Sequence, residues 1–276
     1  MLKRTITALV AVMILLPILW FSDTYVLPVA IAIVTTVSLF EIFSCIGAKA
    51  KIGATLPAYI IGALAPFMAK AIDDKKVVVL ALCGAMIIYI LYLMMLAVLG
   101  HAKHSMQDLS MCYMSAVYII CGFVSIQFLR EMSGSIYLLI FIGAWITDIF
   151  AYFTGMLFGK HKLCEAISPK KTIEGSIGGV VFCAIAFVVF GFITLNKNAE
   201  IWKYITLVVM GIVISVVSQI GDLSMSLIKR RYGIKDFGNI FPGHGGMLDR
   251  FDSIIAVSAT LFVIVSAFNA LNINIF

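Results

Sequence analysis

The chain has 276 residues, of which 62% are hydrophobic and only 12% are charged. Soluble globular proteins contain about 45–50% apolar and about 25% charged residues, so this composition excludes an ordinary soluble fold. The formal net charge is +6, but most basic residues lie between apolar runs. This placement favours membrane lipids or an anionic small substrate over nucleic acid as the binding partner.

Nine apolar runs follow one another along the chain, and each is long enough for a full or tilted crossing of a bilayer. They cover residues 5–21, 25–46, 52–69, 77–99, 109–129, 136–158, 177–195, 204–228 and 253–271. Unsatisfied backbone groups are very costly in hydrocarbon, and the runs show no alternation, so helices are predicted rather than barrel strands. The predicted fold is an all-α polytopic integral membrane protein with about nine transmembrane helices.

Most Lys and Arg residues lie in the loops after even-numbered spans. The positive-inside rule therefore predicts a multi-pass protein of the cell membrane, with these loops in the cytoplasm and both termini outside. Two of these loops, residues 159–176 and 229–252, are the longest polar segments. We therefore expect residues 1–130 to form about five N-terminal spans and residues 131–276 to hold the catalytic region.

The segment from Gly221 to Asp252 combines carboxylates with several cationic side chains. On a helix, Asp222, Ser226 and Lys229 or Arg230 would form one polar stripe on an otherwise apolar span. Such a carboxylate can simply pair with a nearby cation at the helix end. However, Asp249 and Asp252 follow at i and i+3, and carboxylates mixed with cations suit a polyphosphate held by metal and side chains.

A glycine-rich turn, residues 243–246, precedes the last span. Glycines permit close backbone approach, and N–H groups at a helix N-terminus can face a phosphate. The same pattern is common in ordinary turns between helices. His244, within the turn, is either a phosphate donor or a solvated loop residue.

Other polar residues leave similar alternatives open. Asp148 lies near the middle of an apolar run, where an ionised carboxylate costs several kcal/mol, so it is either a packing residue or part of an ion or substrate pocket. Thr172 or Glu174 either caps a helix or belongs with Lys170 and Lys171 in a phosphate site. Glu41 stands alone in the second run, and we interpret it as a packing or helix-contact residue.

The stretch from Ser226 to Asp252 resembles the signature of the phosphatidate cytidylyltransferase family, also called CDP-diacylglycerol synthases. Its specified positions are Ser226, Ile228, Lys229, Arg230, Lys235, Asp236, Gly238, Phe241, Pro242, His244, Gly245, Gly246, Met247, Asp249, Arg250, Phe251 and Asp252. The resemblance continues upstream through Asp148, the segment 158–162 and the segment 167–175. It covers about residues 140–270, whereas the first 130 residues match only as apolar spans.

The resemblance implies condensation of CTP with phosphatidic acid to give CDP-diacylglycerol and pyrophosphate, with Mg²⁺, by a membrane homodimer. Both reactants are anionic, so the reaction requires charge neutralisation and in-line positioning more than a protein nucleophile. On this hypothesis the predicted ligands of one or two divalent ions are Asp222, Asp249, Asp148 and Asp252. The catalytic residues would be Asp222, Lys229, Arg230, Lys235, Asp249 and Arg250, and the substrate-binding residues Lys170, Lys171, Ser226, His244, Gly245 and Gly246.

Two other functions compete with this hypothesis. A CTP-dependent lipid-alcohol kinase would transfer the γ-phosphate and release CDP instead of pyrophosphate. A secondary transporter would place Asp148, Asp222 and Glu41 on an ion pathway near the bilayer midplane. The absence of an internal repeat and the crowding of polar residues in one half of the sequence argue against a transporter.

Overall fold

The computed structural model describes residues 2–48, 51–99, 105–195, 200–241, 243 and 245–273. Within these ranges the chain forms nine α-helices and one two-stranded antiparallel hairpin. The elements are α1 (Leu2–Trp20), α2 (Val26–Cys45), α3 (Ile52–Ala71), α4 (Lys75–Leu99), α5 (Met106–Met132), α6 (Leu138–Phe158), β1 (Lys162–Cys164), β2 (Ser168–Thr172), α7 (Ile173–Thr194), α8 (Ile201–Arg231) and α9 (Leu248–Ala270).

Eight of the described helices, α2 to α9, are long and apolar enough to cross a membrane. Helix α1 has 19 residues, and Val10–Trp20 forms a shorter apolar stretch within it. The prediction of an all-α polytopic membrane protein is therefore confirmed. Most helix ends lie within about three residues of the ends of the apolar runs.

Two helices begin earlier than hydropathy predicts, because their first turns are polar. Helix α7 begins at Ile173 and not at residue 177, and α9 begins at Leu248 and not at residue 253. At the start of α7, the extended residue Thr172 accepts a hydrogen bond from the Gly175 N–H through Oγ1, at 3.1 Å. The interpretation of Thr172 as a helix cap is therefore confirmed.

The chain folds into two compact units, each made of two segments. The first unit comprises Met1–Met132 and Arg231–Phe251, and the second comprises Ser133–Arg230 and Asp252–Phe276. In the first unit α5 packs against α2, α3 and α4 and buries Ile119, Phe123 and Leu129. The division predicted near residue 130 separates N-terminal spans from a catalytic region. Contacts within the two compact units do not test that functional division, so it stays a prediction.

In the second unit, glycines allow the helices to approach closely. A Cβ atom added at Gly179 of α7 would lie 2.9 Å from the backbone oxygen of Thr147 in α6. One added at Gly211 of α8 would lie 2.7 Å from Cα of Ala184 in α7. Without an aqueous hydrophobic effect between spans, such close van der Waals packing is a main source of helix association.

We expect Gly179→Ala to lower the free energy of unfolding by about 1–3 kcal/mol, because the new methyl group must displace backbone atoms of α6. The matched control is Gly84→Ala in α4, where an added Cβ meets nothing within 4 Å. There the better helix propensity of alanine should leave stability unchanged or higher. Thermal unfolding in detergent measures both variants, and equal midpoints would contradict the proposed packing.

Candidate active site

The second unit contains a cluster of acidic and basic side chains between its helices and its hairpin. Asp222 of α8 forms a salt bridge through Oδ2 with Nζ of Lys171 in β2, and both side chains are about one-quarter exposed. The antiparallel pairing of Lys162 with Thr172 and of Cys164 with Ser168 holds β2 in place. The hairpin therefore presents Lys171 to the α8 carboxylate.

A close approach of α8 and α9 brings a second carboxylate to the first. A Cβ atom added at Gly221 would lie 2.8 Å from Cβ of Ala256 and 3.1 Å from the backbone oxygen of Asp252. Beside this glycine, the carboxyl groups of Asp222 and Asp252 are in hydrogen-bonding contact. Lys229, which is only 8% exposed, interacts electrostatically with Asp252.

Asp148 of α6 completes this acidic cluster. Its carboxylate interacts electrostatically with Asp222 and with Lys171. The hydroxyl of the preceding residue, Thr147, donates a buried 2.9 Å hydrogen bond to the Ser215 hydroxyl of α8, which ties the two helices together at this level. Three carboxylates and two lysines thus meet within the second unit, and we call these five residues the acidic cluster.

The acidic cluster fits a hard divalent cation such as Mg²⁺, because its donors are carboxylate oxygens. Within the described part of the chain, no three acidic, histidine or cysteine side chains converge closely enough to form a complete metal site. Substrate phosphate oxygens and water would have to supply the remaining ligands. This arrangement is usual for Mg²⁺, which retains several waters and rarely occupies an all-protein cage.

The signature loop, residues 237–248, belongs to the first unit and is held by two buried carboxylates. Oδ2 of Asp249 accepts hydrogen bonds from the N–H groups of Phe237, at 2.8 Å, and Gly246, at 2.9 Å. Glu41 of α2 accepts from Met247 through Oε1, at 2.9 Å, and from Leu248 through Oε2, at 2.7 Å. The N–H groups of Gly246, Met247 and Leu248, three consecutive residues at the start of α9, therefore each donate to a carboxylate.

These hydrogen bonds bear on the predicted phosphate cradle. Gly245 has a φ of +86°, which suits glycine, and its carbonyl accepts a 2.9 Å hydrogen bond from the Phe241 N–H. The next amide, that of Gly246, is directed at Asp249. Phosphate binding by Gly245 and Gly246 stays a prediction, and His244 lies outside the described residues.

The remaining predicted site residues differ in exposure. Ser226 is half-buried in α8, whereas four cationic side chains are exposed. These four are Lys170 in β2, Arg230 near the end of α8, Lys235 in the loop that follows, and Arg250 in the first turn of α9. Of the basic residues in this part of the chain, Lys171 and Lys229 are members of the acidic cluster. Of the exposed four, Lys170 and Arg230 belong to the second unit, and Lys235 and Arg250 belong to the first.

The carboxylate of Glu174 holds the polar segment before the hairpin. Glu174, in the first turn of α7, accepts hydrogen bonds from the N–H groups of Lys160, at 3.1 Å, and His161, at 3.2 Å. Its Oε1 also lies 2.6 Å from Nδ1 of His161. The sequence offered helix capping or phosphate binding for Glu174; in the structure its carboxylate holds the turn at Lys160 and His161, and a role in phosphate binding stays a prediction.

Glu41 is the residue whose position sequence analysis could least define. Its interpretation as a helix contact is confirmed, but its partners lie 206 and 207 residues further along the chain. The available signal was a single carboxylate in an apolar run, which indicates a buried polar partner without identifying it.

The chain matches the model of the family described as "Cytidylyltransferase family" over residues 2–268. The chain belongs to this family. It is 34% identical over 271 residues to a phosphatidate cytidylyltransferase of Staphylococcus haemolyticus, covering 95% of this chain and 97% of that protein. The Staphylococcus epidermidis protein of the same name is 37% identical over 265 residues, with the same coverage.

A shorter alignment covers part of the chain at higher identity. The Staphylococcus aureus phosphatidate cytidylyltransferase is 41% identical over 169 residues, which is 60% of this chain and 63% of that protein. The family resemblance identified from the signature is thus confirmed, and so is the prediction that the chain is a nucleotidyltransferase.

We expect Asp249→Ala to lower the free energy of unfolding by at least about 2 kcal/mol. The substitution leaves two buried N–H groups without their acceptor, and each such loss costs about 1–3 kcal/mol. Asp236→Ala, at an exposed aspartate directly before the signature loop, is the control and should change stability little. Thermal unfolding in detergent compares them; equal stabilities would show that Asp249 does not hold the loop.

Proposed function

We propose that the chain transfers the cytidylyl group of CTP to phosphatidate, giving CDP-diacylglycerol and pyrophosphate. Its membership of the cytidylyltransferase family carries this proposal. The full-length similarity to proteins named phosphatidate cytidylyltransferase specifies the lipid acceptor. The comparisons do not support the alternative, a CTP-dependent lipid-alcohol kinase.

In this reaction a phosphate oxygen of phosphatidate attacks the α-phosphorus of CTP. A new P–O bond forms, the bond between the α-phosphorus and the bridging oxygen breaks, and pyrophosphate leaves with that oxygen and its electron pair. A phosphate monoester is already largely ionised near neutral pH, so the attacking oxygen needs no general base. The chain's own contribution is therefore to bind, orient and neutralise two anions.

The charge of the acidic cluster supports a metal requirement. The carboxyl groups of Asp222 and Asp252 share a proton in their hydrogen-bonding contact, and once that proton is released the carboxylates of Asp148, Asp222 and Asp252 outnumber the ammonium groups of Lys171 and Lys229 by one. Such a cluster repels a polyphosphate unless a cation joins it. A bound Mg²⁺ would neutralise charge on the reacting phosphate oxygens. We propose that Asp222, with Asp148 and Asp252 beside it, supplies protein ligands to one or two such ions, and a role of Asp249 as a further ligand stays a prediction.

The cationic residues are assigned to the two substrates. Lys170, Lys235 and Arg250 are exposed, which suits binding of CTP phosphates or of the lipid headgroup. Lys171 pairs with Asp222 and Lys229 interacts electrostatically with Asp252, and both lysines would keep these carboxylates in position until substrate phosphates arrive.

The long apolar helices indicate a membrane protein, and the finer location is a proposal. We propose that the chain lies in the cell membrane with the polar loops after α6 and α8 in the cytoplasm, where CTP is present. The excess of basic residues in these loops supports this orientation. Homodimerisation, which the family resemblance implies, is retained as part of the proposal.

The first test uses detergent-purified protein with α-labelled CTP, phosphatidate and Mg²⁺. We expect label to enter the organic phase, with one pyrophosphate released for each labelled lipid. A chelator should abolish both signals, and added Mg²⁺ should restore them.

Each alternative gives a different result in this assay. Accumulation of CDP with unlabelled lipid would support the kinase and overturn cytidylyl transfer. Full activity in the presence of chelator would refute the metal requirement alone. Unchanged CTP in micelles that support a characterised relative would overturn the enzymatic assignment for these substrates.

A matched pair of substitutions tests the acidic cluster. We expect Asp222→Asn to lower turnover more than about a thousandfold, equivalent to about 4 kcal/mol of transition-state stabilisation, because it removes an anionic ligand from the proposed metal site. Asp249→Asn should cause a comparable loss. The control is Asp108→Asn, which breaks the salt bridge of Asp108 with Lys51 and should change turnover less than about threefold. Near-normal turnover of folded Asp222→Asn would overturn the metal assignment.

A further inference from the structure

Glu41 is buried within the apolar helix α2, where it is 3% exposed. Its two carboxylate oxygens accept hydrogen bonds from consecutive amides, those of Met247 and Leu248. These amides begin α9 and directly precede Asp249 and Arg250 in the chain. Glu41 therefore contacts the signature loop at the point where two predicted site residues follow.

The signature loop is shaped around this carboxylate. A Cβ atom added at Gly238 would lie 2.3 Å from Oε1 of Glu41, and one added at Gly246 would lie 2.4 Å from the same atom. Any other residue at these positions would force the carboxylate or the loop to move. The absence of a side chain at Gly238 and Gly246 thus leaves the space that the Glu41 side chain occupies.

Glu41 and Asp249 act on adjacent amides. Asp249 accepts from Phe237 and Gly246, and Glu41 accepts from the next two residues. Asp249 lies in the same helix turn that it stabilises, whereas Glu41 reaches the turn from α2. The Glu41 contact therefore ties the turn to the helical core of the first unit.

We propose that Glu41 is a positioning residue for the transfer reaction: by accepting from Met247 and Leu248, it fixes the start of α9 and with it Asp249 and Arg250. This inference rests on the proposed function for its kinetic consequence. Amides at a helix N-terminus attract anions, so these two donors hold a carboxylate of the protein and are not the groups that bind substrate phosphate. Because small displacements of reacting groups cost large factors in rate, loosening this turn should lower turnover.

The test compares Glu41→Gln with Glu131→Gln. Glutamine keeps the size of Glu41 and one acceptor oxygen, but it directs an NH₂ group at one of the two N–H donors. Glu131 of α5 is the matched control, because it is also a helical carboxylate with two hydrogen bonds, from Lys70 Nζ and Gln127 Nε2. Glu41→Ala serves as a second variant that leaves both amides without their acceptor.

We expect Glu41→Gln to lower kcat at least about tenfold while the KM for CTP changes less than about threefold. Glu131→Gln should retain kcat within about twofold even if its thermal midpoint falls. A merely structural role would lower the amount of folded enzyme, not kcat per folded molecule. Wild-type kcat in folded Glu41→Gln would overturn the inference, and so would an equal loss of kcat in Glu131→Gln.

Hydrogen exchange separates this inference from the proposed function. Exchange at the amides of Met247 and Leu248 should rise at least about tenfold in Glu41→Gln and stay unchanged in Glu131→Gln. If wild-type protein fails to label phosphatidate, the proposed function falls, while the exchange data still decide whether Glu41 holds the turn. Unchanged exchange in Glu41→Gln would overturn the positioning role whatever the activity.

Discussion

A carboxylate inside an apolar helix must be compensated within the protein, and this constraint determines the arrangement of both polar regions. An uncompensated ion in hydrocarbon costs several kcal/mol, and removing one partner of a buried pair leaves that cost exposed. Asp222 is compensated by Lys171, and Asp252 contacts Lys229 electrostatically. Glu41 is compensated differently, by two backbone N–H groups. The partners of these carboxylates therefore come from the hairpin, the last turn of α8 and the start of α9, all of which border the polar segments.

The same device occurs in each unit. In the first unit, Glu41 from α2 holds the amides of Met247 and Leu248; in the second, Glu174 from α7 holds those of Lys160 and His161. In both cases one carboxylate binds two consecutive amides, which fixes the direction of the chain as well as its position. Ionised acceptors make stronger hydrogen bonds than neutral ones, so two hydrogen bonds to one carboxylate can order a loop rich in glycine or lysine.

The sequence predicts the helices well because hydropathy is a local property and the spans are nearly uniform in it. It misplaces the starts of α7 and α9, where polar first turns carry Glu174 and Asp249. The acidic cluster is only partly predictable. The spacing of Asp222 and Ser226 indicates a polar stripe, but the pairing of Asp222 with Lys171 depends on how the hairpin packs against α8. Likewise, no local pattern connects Glu41 with Leu248, because their contact is created by the tertiary fold.

Solvent exposure divides the basic residues into two groups, which differ in how much net attraction they offer to an incoming anion. Lys229 is buried and Lys171 is half-buried, and both already neutralise carboxylates, so their charge contributes little net attraction for an incoming anion. Lys170, Lys235 and Arg250 are exposed, where a cation retains its hydration until a phosphate replaces it. The exposed group is therefore the one to which the proposal assigns the substrate phosphates, while Lys171 and Lys229 balance charge within the acidic cluster. Under the proposed function, the carboxyl oxygens of the acidic cluster that these lysines do not occupy would be the donors offered to a divalent cation, and substrate phosphates would meet that cation together with the exposed cations.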